Sequence, residues 1–169
     1  MSIPVSPLVF SRSARVWFAT LALGMFGVVA VGLSLQHLLK LNPCPLCIFQ
    51  RVLYLSIGVV ALLGFAWPLL SKLWAGLIGG FSALGVAVAG YQSAMQAFPA
   101  QVTECGYSEP TLIERLVDTL GMQWPGLFMA TGLCGSKEWS FAGLSMANWS
   151  CLFFAGCLVY AYGLTRCRQ

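Results

Sequence analysis

Residues 41–66 read LNPCPLCIFQRVLYLSIGVVALLGFA. The run from Ile48 to Ala66 is long enough to cross a lipid bilayer, because about 20 mostly apolar residues, each rising ~1.5 Å, span the hydrocarbon core. Immediately before it stands Cys44-Pro45-Leu46-Cys47, the spacing of a redox dithiol, and four residues after Cys47 stands Arg51. A reactive cysteine pair at the lip of a membrane therefore has to be explained together with the span it opens.

The rest of the chain agrees with a membrane setting. Hydrophobic residues make up 59% of the 169 residues and charged residues 8%, and the mean hydropathy is +0.82. A soluble domain carries roughly 25% charged residues to cover its surface, so a soluble fold is excluded. Four apolar runs qualify as spans, at about Val16–Gln36, Ile48–Ala66, Leu73–Met95 and Met146–Leu164. The first is too long for a secretory h-region of about 7–15 residues, which makes it a retained helix. Continuous rather than alternating apolarity excludes a β-barrel. The expected fold is an all-α integral membrane protein, one membrane domain over 1–169. It is a four-transmembrane-helix bundle with outer loops at 37–47 and 96–145.

Charge placement orients it. Arg12 and Arg15 precede the first span, Lys72 lies between the second and third, and Arg166 and Arg168 follow the fourth. All five acids (Glu104, Glu109, Glu114, Asp118 and Glu138) lie between the third and fourth. Basic residues collect on the cytoplasmic side, so both termini are expected there and the two loops outside. The net charge of +4 is thus a topology signal and says little about nucleic acid.

This topology sorts the seven cysteines. Cys44, Cys47, Cys105 and Cys134 fall on the outer side, an even set suited to an oxidising compartment such as a bacterial periplasm. Cys151 and Cys157 lie within the fourth span, six apart and facing different directions, and read as small apolar filler. Cys167 lies in the cytoplasmic tail and reads as an idle thiol. Pro43 and Pro45 stiffen the dithiol segment, and Pro45 suits the first turn of a helix. The pair thus sits at or just before a helix N-terminus, where free N–H groups and the dipole favour a thiolate. Arg51 shares a helix face with Cys47. Its guanidinium either supports that thiolate and any anion beside it, or snorkels to lipid headgroups.

Cys105 and Cys134 lie in turn-prone, glycine-flanked stretches, QVTECGYSEP and ATGLCGSKEW, as an accessible partner-facing pair requires. Between them, Leu112, Ile113, Leu116, Val117 and Leu120 share one broad helical face. This predicts a short amphipathic helix, either lying on the membrane surface or packed on the bundle, with Trp124 and Trp139 suited to the interface.

With these residues in view, the chain resembles the DsbB family of disulfide-bond-formation proteins. The resemblance runs from about Val16 to Leu164 and includes LQHLLKLNPCPLCIFQR, the order of four helices, and GLCGSKEWSFAGLSMANWS leading into the last. It implies that Cys44 and Cys47 are the membrane-proximal pair that hands electrons to quinone (ubiquinone or menaquinone), with Cys47 next to the ring. It implies that Cys105 and Cys134 form the loop disulfide attacked by a periplasmic thioredoxin-fold oxidase similar to DsbA. Cys105 would form the mixed disulfide and Cys134 would exchange with Cys44. Arg51 occupies the position of the family's quinone-site arginine, and Met95 and Gln96 fall near quinone-proximal positions. Some members carry a histidine at the outer end of the third span, where this chain reads Tyr91-Gln92-Ser93. His37, the only histidine, ends the first span near the dithiol. It is either a proton carrier at the quinone or an interfacial polar cap. The resemblance also implies a place in the bacterial inner membrane.

Two alternatives share parts of this pattern. Vitamin K epoxide reductase relatives also combine a membrane bundle with cysteine pairs, but place the Cys-X-X-Cys near the end of a later helix. Four cysteines in principle ligate a metal, but Pro45 and an oxidising compartment suit redox chemistry better.

Overall fold

The structure, a computed structural model, describes residues 7–98, 111–137 and 139–166, with side chains from residue 14 up to 165 in those ranges. Among the described residues six helices occur in the order α1 (Pro7–Leu39), α2 (Pro45–Ala66), α3 (Ser71–Ala97), α4 (Leu112–Gln123), α5 (Pro125–Phe128) and α6 (Met146–Arg166). A 3₁₀ turn, Pro68–Leu70, joins α2 to α3, and strands β1 (Ser140–Phe141) and β2 (Leu144–Ser145) precede α6. Four of these helices, α1, α2, α3 and α6, are long and apolar enough to cross a membrane. The chain is a four-helix membrane protein. α1 continues past both expected ends, from Pro7 to Leu39.

The start of α2 is set by local chemistry. Cys44 is its N-cap in extended conformation, Pro45 occupies the first turn, and the Cys44 sulfur accepts from the Cys47 N–H at 3.4 Å. A sulfur thus does the work that a serine or aspartate oxygen does at most N-caps, satisfying one of the unpaired N–H groups there.

Within the bundle α1 packs on α2, α2 on α3, and α3 on α6. Lipid tails are as apolar as leucine, so helices in a bilayer associate by close packing at small residues. Two such contacts stand out. A Cβ at Gly64 of α2 would lie 2.7 Å from the Phe18 ring of α1, and one at Gly85 of α3 would lie 2.4 Å from the Phe154 ring of α6. Both rings are fully buried. Phe154 also stacks on Tyr54 of α2, with ring centroids 4.2 Å apart, so α2 and α6 meet at the core. Outside, Leu23, Leu69 and Val159 are exposed, as a lipid-solvated surface should be.

The loop between α3 and α6 holds more structure than one helix. α4 begins with a capping box: the Glu114 N–H donates to Thr111 Oγ1, and Glu114 Oε2 accepts from the Thr111 N–H at 2.7 Å. Its apolar stripe divides in two. Val117 is fully buried with Ile48 of α2 and Phe128 of α5, with Ile113 and Leu120 packed around them, whereas Leu112 and Leu116 on the same stripe stay exposed. Helix α4 is therefore packed on the bundle. β1 and β2 form a hairpin pairing Ser140 with Ser145 and Phe141 with Leu144, a feature absent from the expectation. Its two-residue turn has positive φ at both Ala142 and Gly143, the backbone that a tight hairpin requires. The Trp149 indole N–H donates to the Phe141 carbonyl and ties the hairpin to α6.

Candidate functional site

At the outer end of α2 the sulfurs of Cys44 and Cys47 lie 3.2 Å apart. Cys44 is buried and Cys47 half-buried. From α3, Gln92 donates from Nε2 to the sulfur of Cys47 at 3.0 Å and to that of Cys44 at 3.3 Å. Gln92 is held in turn by Gln50 of α2, whose Nε2 donates to Gln92 Oε1 at 2.8 Å.

The third cysteine comes from the far loop. The N–H groups of Thr131 and Gly132 both donate to the Pro43 carbonyl, at 2.9 and 3.1 Å. Thr131 Oγ1 also donates to Asn42 Oδ1. This clasp lays residues 131–132 along residues 42–43 and brings the Cys134 side chain into a hydrogen bond with Cys44. The Cys44 thiol is pushed well above its ordinary value, first by that bond to Cys134, then by its bond to Cys47 and by burial. Cys134 is pulled below 9.0 by accepting from Cys44, which outweighs its own burial, and by the backbone N–H of Leu46. Of the two, Cys44 therefore holds its proton more firmly than Cys134.

A cavity of about 160 Å³ opens beside these sulfurs. Cys44, Cys47, Gln50 and Arg51 come from α2, Gln92 and Gln96 from α3, and Val28, Val29, Gly32 and Gln36 from α1. Leu133, Lys137 and Trp139 of the loop and Met146 of α6 close it. The Arg51 guanidinium donates to Gln36 Oε1 at 2.8 Å and to the Leu127 carbonyl, so it joins α2 to α1 and α5 at the edge of the cavity. Gln96 is buried; its Nε2 donates to the Ser136 carbonyl, while its Oε1 has no partner. A buried acceptor left unpaired costs about 1–3 kcal/mol, so a group carrying a hydroxyl would satisfy it. Apolar walls, the cations Arg51 and Lys137 and one open acceptor fit a flat, apolar molecule with polar oxygens, as a quinone or its reduced form is.

Of the residues singled out from sequence, the structure brings together Cys44, Cys47, Cys134, Arg51 and Gln96. Met95 is buried but does not line the cavity, and His37 is exposed in the last turn of α1 and does not line it either. Cys105 and Cys167 lie outside the described residues. Cys157 touches Met25 within the bundle and Cys151 is half-buried. Gln36, Gln50 and Gln92 were passed over. The signal for them was present: a glutamine within a spanning run has to face the bundle interior and find a partner.

A family model described as "Disulfide bond formation protein DsbB" matches residues 14–164, taking in all four spans. Among curated relatives, disulfide bond formation protein B of Dechloromonas aromatica (strain RCB) is 60% identical over 147 residues, covering 87% of this chain and 89% of that protein. That of Nitrosomonas europaea is 39% identical over 159 residues, covering 92% and 95%. That of Azoarcus sp. (strain BH72) is 34% identical over 156 residues, covering 90% and 93%.

Proposed function

This chain belongs to the DsbB family of disulfide bond formation proteins, and from that premise we propose that it reoxidises a periplasmic DsbA-like dithiol protein and passes the electrons through two cysteine pairs to membrane quinone. In this reading it is a protein-dithiol:quinone oxidoreductase of the bacterial inner membrane, with both termini in the cytoplasm. The observation that carries the reading is the contact between Cys134 and Cys44, one helical turn from Cys47 and the cavity.

The thiol chemistry then follows from placement. A thiolate of the partner attacks Cys105 in the Cys105–Cys134 disulfide, forming a mixed disulfide and releasing Cys134 as a thiolate. The partner's second thiolate attacks its own sulfur in that mixed disulfide, leaving oxidised and freeing Cys105. Cys134 attacks Cys44 in the Cys44–Cys47 disulfide, so the Cys134–Cys44 bond forms as the Cys44–Cys47 bond breaks, and Cys47 leaves as a thiolate. Attack of Cys105 on Cys134 restores the loop disulfide and leaves Cys44 and Cys47 reduced. Each exchange needs only a thiolate attacking an accessible sulfur, with the lower-pKa sulfur the better leaving group.

Quinone, when bound, supplies a two-electron acceptor dissolved in the bilayer itself. Cys47, Arg51 and Gln96 would hold it in the cavity beside the dithiol, with Arg51 offering positive charge and Gln96 Oε1 accepting a hydroxyl hydrogen bond. Met95 and His37 are left out of this set because neither reaches the cavity wall.

The test is a thiol count on the purified, fully reduced protein in detergent, before and after addition of ubiquinone or menaquinone. Loss of four of the seven thiols, mapped to Cys44, Cys47, Cys105 and Cys134, is the expected result. Unchanged thiols with either quinone would overturn the reading.

A further inference from the structure

Gln50 and Gln92 are 3% and 2% exposed, on adjacent helices and at the depth of the dithiol. An amide side chain has a donor end and an acceptor end, and a buried one presents whichever its neighbours leave free. Gln92 Oε1 is occupied by the Nε2 of Gln50 at 2.8 Å, so Nε2 of Gln92 faces the sulfurs. A thiolate can only accept. The reverse orientation would turn carbonyl lone pairs onto it in a region where low dielectric magnifies the error.

We propose that Gln50 and Gln92 form an orienting amide relay that keeps a hydrogen-bond donor fixed on the sulfur of Cys47 each time that sulfur is released as an anion. Gln92 touches the reacting sulfur and is a catalytic residue; Gln50 acts through it and is a positioning residue. The inference rests on the proposed role of Cys47. The titratable groups acting on Cys47 are Cys44 and Arg51 on its own side, with Cys134 from the loop, and Lys137 lines the same cavity. What α3 contributes is neutral, so this donor is present at every pH, unlike an imidazole that titrates near neutrality.

The test uses the full-length reduced protein in detergent and follows iodoacetamide labelling of Cys47 by peptide mass spectrometry from pH 5 to 10. Quinone takes no part, so the outcome is independent of whether quinone turnover is found. In Gln92→Leu the Cys47 labelling rate at pH 7 falls about tenfold and its pH midpoint rises by about one unit. In Gln50→Glu the new carboxylate pulls the Gln92 amino group away from the sulfur, and a similar loss follows although Gln92 is intact. Gln50→Leu, which neither holds nor turns Gln92, gives a smaller loss. Thermal unfolding and elution volume of each variant show whether the bundle is kept, and Cys151 labelling serves as the internal reference. A Cys47 profile unchanged in Gln92→Leu overturns the proposal. Loss in Gln92→Leu with full retention in Gln50→Glu overturns the orienting role of Gln50.

Discussion

Gly132 lies so close to Asn42 that a Cβ placed on it would stand 2.0 Å from the Asn42 carbonyl oxygen. The approach is what allows Thr131 and Gly132 to share the Pro43 carbonyl, and it sets how near Cys134 comes to Cys44. Gly132→Ala is therefore expected to lift the loop from the dithiol while leaving the spans intact. In a Cys47→Ser, Cys105→Ser background, oxidative trapping of the Cys44–Cys134 disulfide should slow by about tenfold, the equivalent of ~1.4 kcal/mol. Trapping at the parent rate would show that the clasp does not position Cys134.

Removing either lip cysteine tests the relay itself. Cys44→Ser and Cys47→Ser are each expected to abolish quinone-dependent oxidation of a DsbA-like dithiol, because neither exchange nor electron transfer has a substitute sulfur. Cys151→Ser, half-buried on α6, should stay within about twofold of the parent, since a small buried thiol contributes mainly volume. Full turnover in either lip variant would remove the assigned electron path.

Arg51 makes two hydrogen bonds and carries a charge, and these can be separated. Arg51→Ala loses the bonds to Gln36 and Leu127 and should lower stability by about 1–2 kcal/mol as well as weaken apparent quinone affinity. Arg51→Lys keeps the charge but not the two-pronged geometry. It should retain more of the quinone affinity than of the thermal stability, measured as KM and as the unfolding midpoint in detergent. If both variants leave KM for quinone unchanged, Arg51 is a structural tie alone.

The coupled thiols give a pH prediction with a definite sign. Cys134 is depressed below 9.0 by the bond from Cys44, so it is a thiolate through a window in which an ordinary thiol is still protonated. Cys44 is raised and stays protonated past that value. Alkylation of the reduced protein should therefore label Cys134 ahead of Cys44 at neutral pH. In Cys44→Ala the Cys134 midpoint should climb back toward 9.0, as its largest lowering influence is gone. Equal labelling of the two cysteines at pH 7 would contradict this.

The spans were legible because a bilayer demands an unbroken apolar run, and Ile48–Ala66 or Met146–Leu164 admits no other reading. The N-cap of α2 was legible too, since Pro45 and the helix start fix where Cys44 and Cys47 must lie. What escaped depends on which distant residues meet. Nothing around Gly132 in the sequence says that its missing side chain makes room for Asn42. Nothing around Gln92 says that its partner is Gln50, 42 residues away. The α4 stripe gave its helix but not its docking, because Val117 and Leu116 are equally apolar and only tertiary packing separates the buried one from the exposed one.

The fit of Phe18 over Gly64 and of Phe154 over Gly85 has an evolutionary consequence. Each ring occupies the volume where a single methyl group would otherwise be, so the two members of each pair are not free to drift independently. A lineage that acquires alanine at 64 must first have replaced the ring at 18 with a shorter side chain, and the same order applies to 85 and 154. Substitution histories at these four positions should therefore be paired and directional, with the aromatic lost before the glycine. The cavity-lining glutamines are under a different constraint, set by the orientation of a hydrogen bond and not by volume.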